Sequence, residues 1–424
     1  MFVRGIRATV RFIVLWLAVS VLWVMTLWHT VSLSGLTLQS DSHANIGWPN
    51  ADLLQPLCAR ELGNLSEQLI DSEPDCDKLL RGDLRETCAA QRRQVLRYNE
   101  THVRRLLKAS CADYLLERGL QSHVIGAVER ATRIGYSILV HRDFGQLERL
   151  LRLIYREHNW YCIHVDAKAD EGLWRAVVRL AECVPRVLVV GERETVFWGG
   201  FPVLNATLSC LRLLASKSSS WQYFINLSGQ DVPLKSNAEI VQFVNQLGGR
   251  NLAEVKMETK THRYRYHHKV LQGRKYPQEM IRTPSRKSPP PLDVVVFRGN
   301  LAAVLSRAFA DWLVGSEAAG ALLAWLEDTY IPDEHLWATL LGNAKLSAPG
   351  GLANHVGHFG RHVLWSGAGE CGGKFVRDVC VFGVSDLPRL RTLPHLFANK
   401  VYAQFQPDTL ACLEQDLWAR SDKL

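Results

Sequence analysis

The sequence lacks the short patterns from which metal sites are usually identified. Its ten cysteines include no C-x-x-C pair, the spacing typical of structural zinc sites. Its one D-x-D triplet, Asp75-Cys76-Asp77, lies in a polar N-terminal region, away from the strand-like segments that follow Ile134. No internal repeat is evident. The sequence therefore predicts no metal site and no repeat architecture.

Charged residues are also missing from one long stretch near the N-terminus. The run from Phe12 to about Val31 is uncharged and mostly apolar, long enough to span a bilayer as one helix. Three arginines precede it, and positive charge stays on the cytoplasmic side. We therefore expect a cytoplasmic tail (1–11), a transmembrane signal-anchor (12–32) and a luminal or extracellular body. A cleaved signal peptide is the alternative, but the run is long and no small-x-small cleavage site is evident.

Sequons and cysteines agree with a body in an oxidising compartment. The chain has ten cysteines, an even number that indicates disulfides in such a compartment. Asn64 and Asn99 begin N-x-S/T sequons, and we expect N-linked glycan there. Asn205 and Asn226 begin two more, but Asn226 falls in a predicted buried strand.

Positive charge is concentrated in one part of the chain. The formal net charge is +8, and the segment Lys260–Lys269 interleaves cations with tyrosines and histidines. Such a pattern is usual in nucleic-acid binding. A luminal position argues against nucleic acid, so a nucleotide-sugar diphosphate or an acidic glycan is the better partner.

The chain divides into a polar region and an alternating region. Residues 33–130 are polar, helix-prone and cysteine-containing, and we interpret them as a luminal stem that folds onto the body (131–424). After Ile134, apolar strand patterns alternate with amphipathic helices, which predicts a mostly parallel sheet with helices on both faces. The expected strands and helices, in order, are Tyr136–His141, Leu147–Glu157, Trp160–Asp166, Leu173–Ala181, Arg186–Val190, Pro202–Ala215 and Tyr223–Leu227. A proline-rich loop from Pro284 to Pro291, a strand Val294–Phe297 and a helix Leu301–Leu313 are expected next.

Polar residues follow the predicted strands where such sheets bind ligands, beyond the carboxyl ends. Val140-His141, Asp166 and Gly229-Gln230-Asp231 fall along this edge. Asp166 can accept hydrogen bonds from ribose hydroxyls, or it caps the strand end. Asp231 can hold sugar hydroxyls, or it is a turn residue.

Two adjacent carboxylates follow Pro332 at the start of a predicted helix. Asp333 suits the N-cap and Glu334 the first turn, where a fixed, ionised carboxylate can act as a general base. The alternative is that both acids only cap the helix. Without a metal, a departing diphosphate needs fixed cations, for which Arg377 and Lys400 are candidates, although either taken alone is more typical of a surface charge.

With these pieces in place, residues 131–424 resemble the core 2 and I-branching β-1,6-N-acetylglucosaminyltransferase family, glycosyltransferase family 14. Matching motifs occur in the family's order across about 290 residues. They are Tyr136–His141, Tyr161–Asp166, Ile225–Lys235, Asp328–Glu334, Val379–Gly383 and His395–Lys400.

The resemblance implies a GT-A-like variant of the Rossmann-like fold and an inverting transfer from UDP-GlcNAc to the 6-hydroxyl of a galactose- or GalNAc-containing O-glycan, without metal or other cofactor. It implies that Glu334 is the general base and that Arg377 and Lys400 hold the diphosphate. It further implies a single-pass type II Golgi membrane protein. The donor side would also include Val140, His141, Asp166, Lys168 and Trp198, and the acceptor side Glu254, Lys260, Arg263 and Trp365.

The resemblance also supplies disulfide pairs. It implies Cys58–Cys412, Cys111–Cys183, Cys162–Cys210 and Cys371–Cys380, and the two remaining cysteines, Cys76 and Cys88, are then expected to pair.

The acceptor side departs from the family. Relatives that act on mucin core 1 have an aromatic residue two positions after the tryptophan that matches Trp365, where this chain has Gly367 in a short glycine-rich segment. An alternative is therefore a Golgi glycan- or nucleotide-binding protein of the same fold with little transferase activity. A transferase that uses another sugar nucleotide, like the xylosyltransferases, is a third hypothesis.

Overall fold

The computed structural model describes residues 56–58, 60, 72–93, 98–120, 125–258, 263–271, 278–352 and 359–421. All of them belong to one compact unit, Pro49–Leu424. The expected cytoplasmic tail and transmembrane anchor lie outside the described residues. Within the described ranges, no helix is both long and apolar enough to cross a membrane.

A five-stranded sheet forms the centre of the unit. The strands of the protein are β1 (Ile134–Val140), β2 (Trp160–Val165), β3 (Val187–Val189), β4 (Tyr223–Ser228), β5 (Asp231–Pro233), β6 (Lys256–Met257), β7 (Tyr266–Leu271), β8 (Glu279–Arg286), β9 (Phe297–Arg298), β10 (Val304–Ser306), β11 (Arg361–Val363), β12 (Lys374–Val376), β13 (Val379–Val381) and β14 (Phe397–Asn399). The central sheet has the order β10-β4-β1-β2-β3, with β1 to β4 parallel and β10 antiparallel. A smaller sheet has the order β11-β14-β5, and β12–β13, β6–β9 and β7–β8 are two-stranded.

Helices cover the central sheet. They are α1 (Cys76–Arg81), α2 (Leu84–Arg92), α3 (Glu100–Ala109), α4 (Cys111–Glu117), α5 (Ala127–Ala131), α6 (Phe144–Ile154), α7 (Glu171–Cys183), α8 (Phe201–Lys217), α9 (Asn237–Gln246), α10 (Arg307–Gly315), α11 (Glu317–Leu326), α12 (Leu336–Gly342), α13 (Leu387–Thr392) and α14 (Asp408–Ser421). One core cluster contains β1 and β2 residues with the apolar faces of α6 and α7. A second contains residues of α8, α10 and α12 with Phe224 of β4. Burial on both faces explains why β1 is almost continuously apolar.

The predicted parallel strands and their crossover helices are confirmed, with ends shifted by a few residues. The predicted helix Leu301–Leu313 is wrong in its first six residues. Val304–Ser306 pairs with β4 as antiparallel strand β10, and the helix begins only at Arg307, with the Ser306 hydroxyl accepting from the Phe309 amide. Pairing with an open sheet edge has overridden the local helix pattern.

Two expectations around the proline-rich segment are also wrong. Pro284 lies within strand β8, because β8 pairs only with β7 and an edge strand can lack a donor at one position. The strand expected at Val294–Phe297 is reduced to β9, and a 3₁₀ turn at Pro291–Asp293 precedes it.

Helices of the predicted stem share the core of the body. Val103 and Leu107 of α3 and Tyr114 of α4 are buried in the cluster that contains β1. The described helices between Cys76 and Ala131 are therefore packed against the sheet-containing body, as expected.

Three of the five disulfide pairs agree with the resemblance: Cys111–Cys183, Cys162–Cys210 and Cys371–Cys380. The other two are exchanged. Cys58 bonds Cys88, and Cys76 bonds Cys412. The apolar face of α1 packs on α13 and α14, which brings Cys76 beside Cys412, whereas Cys88 lies on the next helix and faces Cys58.

Candidate active site

The carboxyl ends of β1 and β2 form one side of the site. The Asp166 amide donates to the Val140 carbonyl at 2.9 Å. The buried Asp166 carboxylate accepts from the Lys168 amide at 2.8 Å and from Lys168 Nζ at 3.2 Å. Gly229 lies against this corner, because a Cβ there would be 3.1 Å from Val140 Cγ2. The structure thus shows Asp166 closing the turn after β2, and it brings Val140, Asp166 and Lys168 together as predicted.

His141 connects this corner to a second group of cations. Desolvation lowers the pKa of the His141 imidazole below its usual value of 6.5, and the charges of Arg142, Arg377 and Lys168 act in the same direction, while Asp166 opposes them. The charge of Arg377 lowers the pKa of His141 only if the two side chains are close enough to interact electrostatically. The neutral imidazole is the form favoured by these cations.

Arg377 lies at the tip of a tight hairpin. The register Val376↔Val379 leaves Arg377 and Asp378 as a two-residue loop, and both have positive φ, 53° and 62°. Such loops usually contain Asn-Gly or Asp-Gly, because larger side chains are strained there. Strained residues of this kind cluster at functional sites.

Lys400 is held next to the loop of the same hairpin. Its ammonium donates to the Val376 carbonyl at 3.0 Å, and its side chain is only 9 % exposed. The carbonyl belongs to the residue that precedes Arg377, so the two predicted diphosphate ligands are neighbours in space.

The Asp231 carboxylate binds the residue that precedes Lys400. It accepts from the Ser228 amide at 2.8 Å, from Asn399 Nδ2 at 2.7 Å and from Arg361 at 2.9 Å. The residue is 2 % exposed, so its oxygens are committed to the protein. Of the two alternatives for Asp231, the structural one is confirmed: it ties the end of β4 to the residue before Lys400.

Glu334 lies in a 3₁₀ turn, Pro332–Glu334, and α12 begins only at Leu336 with His335 at its N-cap. The prediction that Asp333 is the N-cap is therefore wrong. Ile331 has φ 54°, which turns the chain before Pro332 and inserts one short turn ahead of the helix. A β-branched residue in this conformation is a genuine outlier.

Asp333 is directed inward. One of its carboxylate oxygens is buried and has no hydrogen-bond partner among the described atoms. Burial, together with the charge of Glu334, raises the pKa of Asp333 to about 7. Asp333 is thus neutral over part of the physiological range, whereas Glu334 faces a cation.

That cation is Arg298, which the sequence analysis did not identify. Arg298 Nε donates to Glu334 Oε2 at 2.8 Å, and the amide of Gly299 donates to the Glu334 carbonyl at 2.7 Å. A Cβ on Gly299 would lie 1.8 Å from the Glu254 carbonyl oxygen, so only glycine allows this approach. The single available signal was an Arg-Gly pair after an apolar run, which is too common to be diagnostic.

Trp198 joins the two sides. Lys168 Nζ donates to the Val196 carbonyl, two residues before Trp198. The Trp198 ring meets the edge of Tyr330 at 5.7 Å, and the amide of Ile331 donates to the Gly199 carbonyl at 2.8 Å. The same loop therefore contacts Lys168 on one side and the segment that leads to Glu334 on the other.

Trp365 lies beside the cationic hairpin. It is 45 % exposed and forms a bridge to Val379, and the amide of Ser366 donates to the Asp378 carbonyl at 2.8 Å. Gly367 follows with φ 81°, a conformation that L side chains rarely adopt. This turn favours glycine at position 367.

The remaining predicted positions are less informative. Lys260, Asn64 and the side chain of Arg263 lie outside the described part of the chain. Glu254 forms an ion pair with Lys256. Asn99 is an exposed N-cap of α3, and Asn226 is buried, with its side chain bonded to the backbone of Leu301 and Ala303.

Potential metal ligands come together once in the described ranges, at Cys371, Cys380 and Asp386. The two cysteines form a disulfide, so they offer no thiolate. The Asp75 carboxylate of the D-x-D triplet caps α1, and Cys76 of the same triplet is disulfide-bonded. Neither arrangement is suited to bind a cation.

Comparison with known proteins shows to which family this chain belongs. The family model described as "Core-2/I-Branching enzyme" matches residues 134–391 of the chain. The chain belongs to the Core-2/I-branching enzyme family. It is 36 % identical over 315 residues to the human N-acetyllactosaminide beta-1,6-N-acetylglucosaminyl-transferase, covering 72 % of this chain and 77 % of that protein.

Two further relatives carry related names. The mouse beta-1,3-galactosyl-O-glycosyl-glycoprotein beta-1,6-N-acetylglucosaminyltransferase 4 is 36 % identical over 332 residues, covering 75 % of this chain and 72 % of that protein. Human beta-1,3-galactosyl-O-glycosyl-glycoprotein beta-1,6-N-acetylglucosaminyltransferase 3 is 33 % identical over 339 residues, covering 76 % of each. The prediction of a beta-1,6-N-acetylglucosaminyltransferase, an enzyme that transfers glycosyl groups, is confirmed at the level of this family.

Proposed function

We propose that the protein transfers N-acetylglucosamine from UDP-GlcNAc to the 6-hydroxyl of a galactose- or GalNAc-containing O-glycan, with inversion and without a metal ion. The observation that carries the proposal is the loop of Trp198, which joins the Asp166–Lys168 corner to the segment of Glu334. A donor held by the first would present its anomeric carbon toward a base on the second. We further propose that the protein acts in the Golgi membrane as a single-pass type II protein.

The chemistry is one displacement at the anomeric carbon. Glu334 accepts the proton of the acceptor hydroxyl, the oxygen forms the new bond to C1, and the bond to the diphosphate breaks with its electron pair leaving on UDP. Arg377 and Lys400 stabilise the charge that develops on the leaving group. Because Lys400 is held by the Val376 carbonyl, its ammonium needs little reorganisation during the reaction.

The test is acceptor-dependent release of UDP from UDP-GlcNAc, measured in EDTA with a panel of core 1, core 3 and poly-lactosamine acceptors. We expect turnover in the wild type and a loss of about 10²–10⁴-fold in Glu334→Gln, the usual contribution of a general base. Asp378→Asn, which keeps the shape of the hairpin beside Arg377, is a matched control and should retain activity.

Each other outcome has a distinct meaning. Full turnover in Glu334→Gln would remove the base from this mechanism. Turnover abolished by EDTA and restored by Mn²⁺ would contradict the metal-free transfer. Binding of UDP by a folded protein that is inactive on every acceptor would favour the glycan- or nucleotide-binding alternative and indicate the Gly367 turn as its cause.

A further inference from the structure

The excess positive charge of this protein is confined to one segment. Residues 260–287 contain nine lysines and arginines and one acid, Glu279, which gives +8. The whole chain also has a net charge of +8, so the other residues balance to zero. The basic segment is therefore a local feature and not a property of the surface as a whole.

The described part of this segment contains the hairpin β7–β8. The register pairs Tyr266 with Arg286 and His268 with Arg282, with an irregularity between the two pairs. The Arg282 guanidinium lies 4.1 Å from the centre of the Tyr266 ring, and that of Arg286 lies at 5.9 Å. Both arginines are exposed, and neither forms an ion pair with a carboxylate in the described ranges. Tyr266, Arg282 and Arg286 thus form a hairpin face that presents two guanidiniums ordered by one aromatic ring.

The same face continues into the proposed active site. His268 stacks on Tyr330 at 5.5 Å between ring centres, and its amide donates to the Asp328 carbonyl at 2.9 Å. Tyr330 in turn meets the exposed ring of Trp198, and it precedes Glu334 by four residues. A row of aromatic rings therefore extends from Trp198 through Tyr330 to the hairpin.

We propose that this hairpin face is an acceptor subsite for a glycan that carries an anionic group, a carboxylate or a sulfate ester. The inference rests on the proposed transferase function. Aromatic faces stack on sugar rings, and the planar forks of Arg282 and Arg286 match the geometry of either anion. Because Tyr330 lies four residues before Glu334, an acceptor bound along the row would have its hydroxyl near the segment of the base and its charge at the arginines.

A membrane surface fits this hairpin less well. Its exposed apolar side chains are divided between its two faces: Leu271 and Ile281 lie on one face and Val270 on the other, because Leu271 pairs with Glu279, Ile281 pairs with Lys269 and successive strand residues alternate. An interfacial element collects its apolar side chains on one face. The charge is also continuous with the aromatic row, where an oligosaccharide would lie.

The experiment compares three versions of each acceptor oligosaccharide (neutral, sialylated and sulfated) using the purified full-length protein. For the wild type we expect a KM about 10-fold lower for one or both anionic versions, the size of one charge-assisted contact, and a loss of this preference in 0.5 M salt. Arg282→Gln with Arg286→Gln should abolish the preference and leave kcat on the neutral acceptor within about twofold. Arg105→Gln with Arg175→Gln, which removes the same charge from exposed positions on α3 and α7, should change neither.

Direct titration of the same oligosaccharides in the presence of UDP separates the two proposals. Weak or absent turnover with selective binding of anionic glycan, lost in the Arg282/Arg286 variant, would support the subsite and contradict the transferase function. Turnover without any anionic preference, or a preference that survives the double substitution, would overturn the subsite and leave the function intact. Binding to phosphatidylserine vesicles that the double variant loses, with no selectivity among glycans, would assign the face to membranes instead.

Discussion

At the scale of single residues, Arg298 is the side chain that fixes the orientation of the proposed base. Its Nε donates to Glu334 Oε2 at 2.8 Å. Glu254 and Glu258 lie within electrostatic range of the same guanidinium. Arg298 thus links Glu334 to the strand next to Glu254, a predicted acceptor residue.

Replacing Arg298 tests this positioning. Arg298→Gln should lower kcat by about 10- to 100-fold, because small misplacements of a reacting group are costly, while KM for the donor stays unchanged. Arg298→Lys should recover part of the loss by returning a cation. The measurement is UDP release across donor concentrations, with Arg175→Gln as control, since Arg175 makes the same Nε contact to Glu171 on exposed α7. An unchanged kcat in Arg298→Gln would show that Glu334 needs no such partner.

Asp333 makes stability depend on pH. Its pKa is about 7 in the folded protein, against an ordinary value of 3.8, because it is buried beside Glu334. The unfolded chain therefore releases this proton first, and the folded state loses stability as the pH rises from about 4 to above 7. The loss is at most about 4 kcal/mol, and less where solvent reaches the side chain.

Asp333→Asn isolates this contribution. The variant carries no titrating group at this position, so its free energy of unfolding should exceed that of the wild type increasingly from pH 5 to pH 8. Urea unfolding at several pH values measures the difference. A constant difference between the two proteins over this range would mean that Asp333 is ionised throughout.

At the scale of elements, the β12–β13 hairpin combines strain with function. Both loop residues have positive φ, yet neither is glycine. The left-handed conformation costs a non-glycine residue about 1–2 kcal/mol. Arg377 is the predicted diphosphate ligand, whereas Asp378 provides a backbone carbonyl to Ser366, which any residue can supply.

Replacing each of the two loop residues by glycine distinguishes the role of the Arg377 side chain from that of the Asp378 backbone. Asp378→Gly should raise the free energy of unfolding by about 1 kcal/mol and keep activity, because it relieves strain and preserves the carbonyl contact. Arg377→Gly should be equally stable but lose about 10²–10³-fold in kcat, the usual effect of removing one donor to a developing charge. Thermal melts and UDP release measure both. Equal activity in the two variants would exclude Arg377 from the stabilisation of the leaving group.

The sequence predicted elements wherever local pattern and tertiary environment agree. Strand β1 is apolar throughout and lies between two layers of helices, so periodicity was sufficient. The helix prediction for Leu301–Ser306 was wrong because an antiparallel partner, β4, determines the conformation of this segment. The site divides in the same way: Asp166 and Lys400 lie in motifs of a known family and Arg377 lies two residues before one, whereas Arg298 acts through a contact across 36 residues that no local pattern encodes.

At the scale of the whole molecule, the Cys76–Cys412 disulfide joins α1 to α14. Its sequence separation is 336 residues, against 30 for Cys58–Cys88. It also lies within a buried cluster that contains Leu79, Leu390 and Leu413, next to the sheet that carries Lys400. In the chain-entropy model, the longer closure should stabilise the fold by about 2 kcal/mol more than the shorter one.

Paired serine substitutions test this difference. Cys76→Ser with Cys412→Ser should lower the free energy of unfolding by about 2–5 kcal/mol, because the unfolded chain regains the entropy of its longest loop. Cys58→Ser with Cys88→Ser is the matched control and should cost about 2 kcal/mol less. Urea unfolding without reductant measures both, and UDP release should fall in parallel with the folded fraction. Equal losses in the two pairs would mean that strain or packing, and not loop closure, determines the contribution of each bond.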